Sequence, residues 1–246
     1  MADEADDAGR EGQVNWRYVK LRDFARISGE NFAAQRSREW FAQRKAFNRK
    51  KGLTSSQWAS LFFVKSQEDF QFRYDVIYNG AKDPPDAMGR EAMAWGTKME
   101  DAAILAFLRA HPEYIITEAP FTEAHIQGYA ASPDGYYFNT KTLNTGCIEV
   151  KCPFKKGTKK HHSKPVWYYY CQMFAHMVTS NMTTCIFISY GVNGLRSWTI
   201  EWDDNLWMQM VLLKEDFVQQ NYARFLLTRS KLTAIIEHAV MHSQEV

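Results

Sequence analysis

The sequence predicts an α/β fold, a mixed β-sheet covered by helices, and three observations predict it. Apolar and aromatic residues recur at helical spacing through the first third of the 246 residues. The middle changes to short segments rich in Ile, Val, Tyr and Phe, separated by Gly, Asn and Pro. After Asn205 the helical pattern returns. Helices, three strands, a helix, two strands and helices again make an α/β order.

The elements follow from their residues. MADEADDAGREGQVN, residues 1–15, is acidic and polar and reads as a disordered lead. The chain from 16 to 246 reads as one domain, helical to about 112, with its sheet from about 113 to 203 and helices from 204 to 246. Trp16, Tyr18, Leu21 and Phe24 recur at helical spacing. Trp40, Phe41 and Phe47 precede the basic turn NRKKG, and a further helix is expected from about Ser55 to Lys65. AKDPPDAMGRE breaks the pattern with paired prolines. An amphipathic helix carrying Met99, Ala103, Phe107 and Leu108 then runs to His111–Pro112, where proline forbids continuation. YIITEAPF, GYAASPDGYYFNT and GCIEVKCPF read as three strands, residues 165–179 as a helix opened by Pro165, and TTCIFISYG and RSWTIEW as two more strands.

Composition bounds the function. Hydrophobic residues at 46 % and charged residues at 24 % are those of an ordinary globular protein. No apolar run is long enough to span a bilayer, and no signal peptide is evident, so an intracellular protein, nuclear or cytoplasmic according to host, is expected. Residues 1–15 hold five acids against one Arg, a net −4, which leaves +6 for the rest of a chain whose total is +2. That balance permits nucleic-acid binding without demanding it.

The chemistry concentrates in one strand. Glu149 and Lys151 are two apart, so they share a strand face, while Ile148, Val150 and Cys152 share the other. A carboxylate beside an ammonium on a central strand is costly to bury without a task or further partners. Asp134, in the tight-turn sequence SPDG, can reach Glu149 through the hairpin NTKTLNTG. Two carboxylates form a hard oxygen site suited to Mg²⁺, with Mn²⁺ as its substitute. Such an ion acidifies water and neutralises charge on phosphorus, and Lys151 can orient or deprotonate the water and stabilise the transition state. A turn Asp with a solvated Glu–Lys cross-strand pair explains the same spacing equally well. The residues alone leave both readings open.

SPDG followed by IEVKCPF resembles the PD-(D/E)xK nuclease signature, and within it the group of lambda exonuclease, YqaJ-type viral recombinases and alkaline nucleases. The similarity runs from about Trp40 to residue 222. It implies a restriction-endonuclease-like core with an N-terminal helical region. It also implies catalysis by Asp134, Glu149 and Lys151 with Mg²⁺, the metal held by Asp134, Glu149, Glu100 and the Val150 carbonyl. W-x-x-x-R before G-L-T-S-S resembles the group's N-terminal element, which would set Arg44 and Ser56 on the 5′-phosphate or the scissile strand. WGTKME resembles the G-x-x-x-E helix and carries Glu100, although Thr97–Glu100 also forms a capping box. Gln172 resembles the first glutamine of Y-x-Q-x-Q; the second is replaced by Phe174.

KKGTKKHHSK follows the strand, and with Lys151 it holds six lysines and two histidines in fourteen residues. Such a run is a solvated loop or, beside this strand, a phosphate-contacting one that includes Lys155 and Lys156. A zinc site is disfavoured, since Cys147 and Cys152 should face opposite sides and no C-x₂-C occurs. The resemblance implies 5′-to-3′ exonuclease action on linear double-stranded DNA in recombination or viral genome processing. Partners would be DNA, a single-strand annealing protein and, in a homo-oligomer, further copies of the chain. An endonuclease, an RNase or an inactive nucleic-acid-binding protein remain alternatives.

Overall fold

The computed structural model describes residues 17–21, 33, 35–50, 52–154 and 159–246, the Arg49 side chain excepted. The acidic lead, Trp16, Phe24, Lys155 and Lys156 lie outside the described residues.

A seven-stranded mixed sheet holds the centre. Its strands are β1 (Tyr18–Val19), β3 (Tyr114–Thr117), β6 (Gly135–Asn139), β7 (Thr145–Lys151), β8 (Thr184–Gly191), β9 (Gly194–Glu201) and β10 (Gln244–Glu245), side by side in that order. β7 is antiparallel to β6 and parallel to β8, with Glu149 beside Phe187 and Lys151 beside Ser189. A small second sheet orders β2 (Leu53–Thr54), β5 (Tyr129–Ala131) and β4 (Thr122–Glu123).

Among the described residues seven helices surround these sheets: α1 (Arg38–Arg49), α2 (Trp58–Phe62), α3 (Gln67–Tyr74), α4 (Ala87–Ala110), α5 (Tyr170–Ser180), α6 (Asp204–Val218) and α7 (Tyr222–His242). Short polar residues set several of their starts by accepting an orphan backbone N–H. Ser37 takes that of Trp40, Asp86 that of Gly89 and Asp203 that of Leu206. α5 stops at Asn181, which turns the chain with φ 52°; asparagine tolerates that left-handed conformation better than most residues.

β7 and β8 are apolar on both faces because both faces are covered. On one side Ile148, Val150, Ile186 and Ile188 pack against Ala103, Ile104, Phe107 and Leu108 of α4. On the other, Cys147, Cys185 and Phe187 join Phe174 and Met177 of α5, backed by Leu213 and Phe217 of α6 and Phe225 of α7. Full burial of each such aliphatic or aromatic side chain stabilises the fold by about 1.5–3 kcal/mol. The two layers clamp the strand that bears Glu149 and Lys151.

The structure corrects several expectations. Tyr18–Val19, expected in a helix, is an edge strand pairing parallel with Ile116–Thr117; the Arg17 and Val19 carbonyls accept from Ile116 and Glu118, so sheet pairing overrides local spacing. The expected helix from Ser55 to Lys65 is shorter, a 3-10 turn over Ser55–Gln57 and then α2. GYAASPDGYYFNT is two strands, β5 and β6, in different sheets. Asp134, expected in a tight turn, therefore stands at a bend where the chain crosses between sheets, while β6 and β7 form the expected hairpin through 140–144. The chain after Asn205 does not stay helical, since Gln244–Glu245 returns as a strand on β9. Among the described residues, no helix is long and apolar enough to cross a membrane.

Candidate active site

The site forms where β6 begins and β7 ends. Asp134 extends the β6–β7 pairing: its N–H donates to the Ile148 carbonyl (3.0 Å), and its Oδ2 accepts from the Val150 N–H (2.7 Å). The carboxylate is thus held on the backbone of the strand that carries Glu149 and Lys151. Glu149, 1 % exposed, accepts from Lys151 Nζ at one oxygen and from His176 Nε2 at the other (2.6 Å). An ionised carboxylate only accepts, so Nε2 carries a proton. Lys151 Nζ also lies 4.8 Å from the Tyr169 ring centre.

The electrostatics separate the two acids. Burial works to raise the Glu149 pKa, but Lys151 and His176 together hold it below the usual carboxylate value. Asp134 is pushed well above its usual value, first by burial, then by the Glu149 and Glu100 charges; Lys151 and the Val150 N–H oppose this weakly. Burial would discharge Lys151, yet Glu149 and Asp134 raise its pKa, so it stays an ammonium.

Glu100 projects from α4. That helix begins at Ala87, so Thr97 lies inside it, and the capping-box reading of Thr97–Glu100 falls; Asp86 is the cap. Glu100 is buried, Arg36 Nη2 donates to it at 2.6 Å, and its charge reaches Asp134. Cys152, pushed up to about 12 by burial and by Glu100 and Asp134, is a neutral thiol beside these acids.

These residues fit a divalent cation. Among the described residues no three His, Cys, Asp or Glu side chains form a ready cage, but Mg²⁺ keeps several waters and needs only one or two carboxylates. The Asp134 carboxylate lies beside the Glu149 and Glu100 charges, and the three side chains offer hard oxygen donors. Asp134, Glu149 and Glu100 would hold the ion. Val150 donates its N–H to Asp134 Oδ2.

A second constellation adjoins the first. Trp40 Nε1 on α1 donates to Ser132 Oγ (2.7 Å), two residues before Asp134. Arg44 packs over the Trp40 ring at 4.4 Å and donates to Ser56 Oγ (2.6 Å) and Thr54 Oγ1 (3.3 Å). Burial lowers the Arg44 pKa to about 10, which leaves it charged at neutral pH. Because Ser56 accepts from Arg44, its own hydroxyl proton can point at an anion.

Gln172 is buried in α5. The stretch 159–162 docks on the end of β8: the Lys159 carbonyl accepts from Val192, and the N–H groups of His161 and His162 donate to Asn193 and Ser189. Cys147 and Cys152 pack in opposite cores, as strand alternation requires.

Sequence reasoning missed His176, Arg36 and Ser132. Histidine on a helix otherwise filled with Phe174 and Met177 carried no signal except its polarity on a buried face. Ser132 was visible as the first letter of SPDG.

Residues 39–183 match the YqaJ-like viral recombinase domain. Two crystal structures of LHK-Exo are similar, one described as an alkaline exonuclease from Laribacter hongkongensis and the other as LHK-Exo in complex with dAMP. The first is 26 % identical and the second 25 %; each likeness covers 82 % of this chain and 95 % of the other, with a TM-score of 0.52. No curated protein matches the chain. A domain match over more than half the length, which includes the strand pair bearing Asp134, Glu149 and Lys151, gives the family: the chain belongs to the YqaJ-like viral recombinase domain family.

Proposed function

We propose that this protein is a metal-dependent deoxyribonuclease that trims linear double-stranded DNA from its 5′ end. One observation carries the reading: Asp134, a half-buried carboxylate beside the Glu149 and Glu100 charges, is bonded to the β7 backbone next to the Glu149–Lys151 pair. The family match and the likeness to an alkaline exonuclease support it.

A Mg²⁺ ion held here would neutralise charge building on a phosphate and acidify a water molecule. Asp134 and Glu149 hold their oxygens in place through Val150 N–H and His176, so little reorganisation is needed on binding. Lys151 is an ammonium, so its part is to donate to the water or to a phosphoryl oxygen and stabilise the developing charge rather than to act as the base. Arg44 and Ser56 present converging donors suited to a terminal phosphate. Lys159 and Lys160, with Lys155 and Lys156 before them, would follow the backbone without reading sequence.

The test is a digestion time course on 5′-phosphorylated linear DNA labelled at either end, run with Mg²⁺ and then with a chelator. Loss of the 5′ label first, stopped by chelation, is expected. Cleavage of covalently closed circles at a comparable rate would exclude a purely exonucleolytic enzyme, preferred cleavage of RNA would move the substrate, and no hydrolysis would leave a binding protein.

A further inference from the structure

Arg36 stands in a conformation that side chains rarely adopt, with φ 65°. Strain of this kind persists where neighbouring contacts over-determine it, and here both neighbours are pinned. Gln35 Nε2 donates to the carbonyls of Ala119 (3.0 Å) and Pro133 (2.8 Å), and Ser37 caps α1 through the Trp40 N–H (3.1 Å). The Pro133 contact ties Arg36 to the residue before Asp134. Its guanidinium then reaches Glu100 at 2.6 Å.

The charges at the site divide unevenly. Glu149 is hydrogen-bonded to Lys151 and His176, whereas the group hydrogen-bonded to Glu100 is Arg36. Burial disfavours the charge on Arg36, but Glu100 and then Asp134 and Glu118 raise its pKa above the ordinary value. Arg36 therefore supplies positive charge to the same two acids, Glu100 and Asp134, that would face a metal ion.

We propose that Arg36 is a phosphate-binding residue of this site, stored on Glu100 until a divalent cation takes its place there. Two cations compete for one carboxylate, so metal binding weakens the hold of Glu100 on the guanidinium. The Arg36 side chain is 43 % exposed, against 12 % for Glu100, so it is the partner free to move. Its backbone stays anchored through Gln35 and Ser37, which confines the released guanidinium to the mouth of the site. A substrate phosphate arriving there meets a planar fork of donors that matches its oxygens. The inference rests on the nuclease reading of the same residues.

The test compares wild type with Arg36→Gly, which removes the cation and suits the backbone, and with Arg36→Lys, which keeps the charge without the fork. Mn²⁺ is titrated calorimetrically into each metal-free protein without DNA, and cleavage of linear duplex is measured at saturating Mg²⁺. Arg36→Gly should bind Mn²⁺ about tenfold more tightly, because its competitor is gone, yet cleave about tenfold or more slowly. Arg36→Lys should restore the weaker metal binding and only part of the rate. Metal affinity no tighter than wild type in Arg36→Gly, or cleavage as fast at saturating metal, overturns the proposal. A wild type that neither binds Mn²⁺ nor cleaves DNA overturns the nuclease reading itself, a result distinct from either.

Discussion

His176 Nε2 lies 2.6 Å from Glu149 Oε2, both side chains buried, one on α5 and the other on the central strand. The imidazole orients the carboxylate from behind, and its Nδ1 has no hydrogen-bond partner among the described residues. His176→Ala should lower Mn²⁺ affinity and cleavage about 10–100-fold, the usual effect of removing a partner that orients a metal ligand. His176→Gln, whose amide can still donate, should recover part of both. Equal loss in the two variants with an unchanged metal isotherm would refute the orienting role.

Lys151→Ala removes an ammonium that two acids keep charged. Cleavage should fall about 10²–10³-fold or more, while a filter-binding assay shows DNA still bound.

Asp134 gives a pH dependence with a defined sign. Its pKa is raised in the folded protein, so the native state takes up the proton more readily than the unfolded chain. The destabilisation from its charge is absent below about pH 4 and grows as pH rises through the raised pKa. Asp134→Asn keeps an acceptor for Val150 N–H and removes that charge. In chelator, Asp134→Asn should melt higher than wild type at pH 8, with the gap narrowing towards pH 4; each kcal/mol is worth about 2–4 °C. Adding Mn²⁺ should raise the melting temperature of wild type and not of the variant. A gap that widens on acidification would contradict the assignment.

Arg44→Ala should erase any preference for a 5′-phosphate. Comparing initial rates on 5′-phosphoryl and 5′-hydroxyl duplexes, wild type should favour the former by about 10–100-fold, the range of one charge-assisted hydrogen bond. The variant should cut both at the slower rate.

A substitution at Gly191 should separate the proposed DNA contact from the proposed metal binding. A Cβ there would meet the His161 nitrogen and the Lys159 carbonyl oxygen, each at 2.4 Å. Gly191→Ala must shift the 159–162 stretch from the end of β8, with about 1–3 kcal/mol of overpacking cost. DNA affinity should weaken at low salt, and the Mn²⁺ isotherm should not change.

Sequence and structure divide this protein by the range of the interactions involved. Strand alternation alone put Glu149 and Lys151 on one face and Cys147 and Cys152 on opposite ones, because side chains on a strand have period two. Proline at 112 belongs to the same local class, and the motif SPDG…IEVK was legible for that reason. The rest depends on contacts across long stretches of chain. Tyr18–Val19 is a strand only because β3 is there to pair with it. The Thr97–Glu100 capping pattern was undone by a helix that starts ten residues earlier. His176 reaches Glu149 only once α5 packs on β7, and Arg36 reaches Glu100 only because Gln35 and Ser37 hold a left-handed backbone in place. Local chemistry in the sequence set Lys151 beside Glu149; tertiary packing alone decided that His176 joins them and that Arg36 meets Glu100, since those partners are chosen by distance in space and not along the chain.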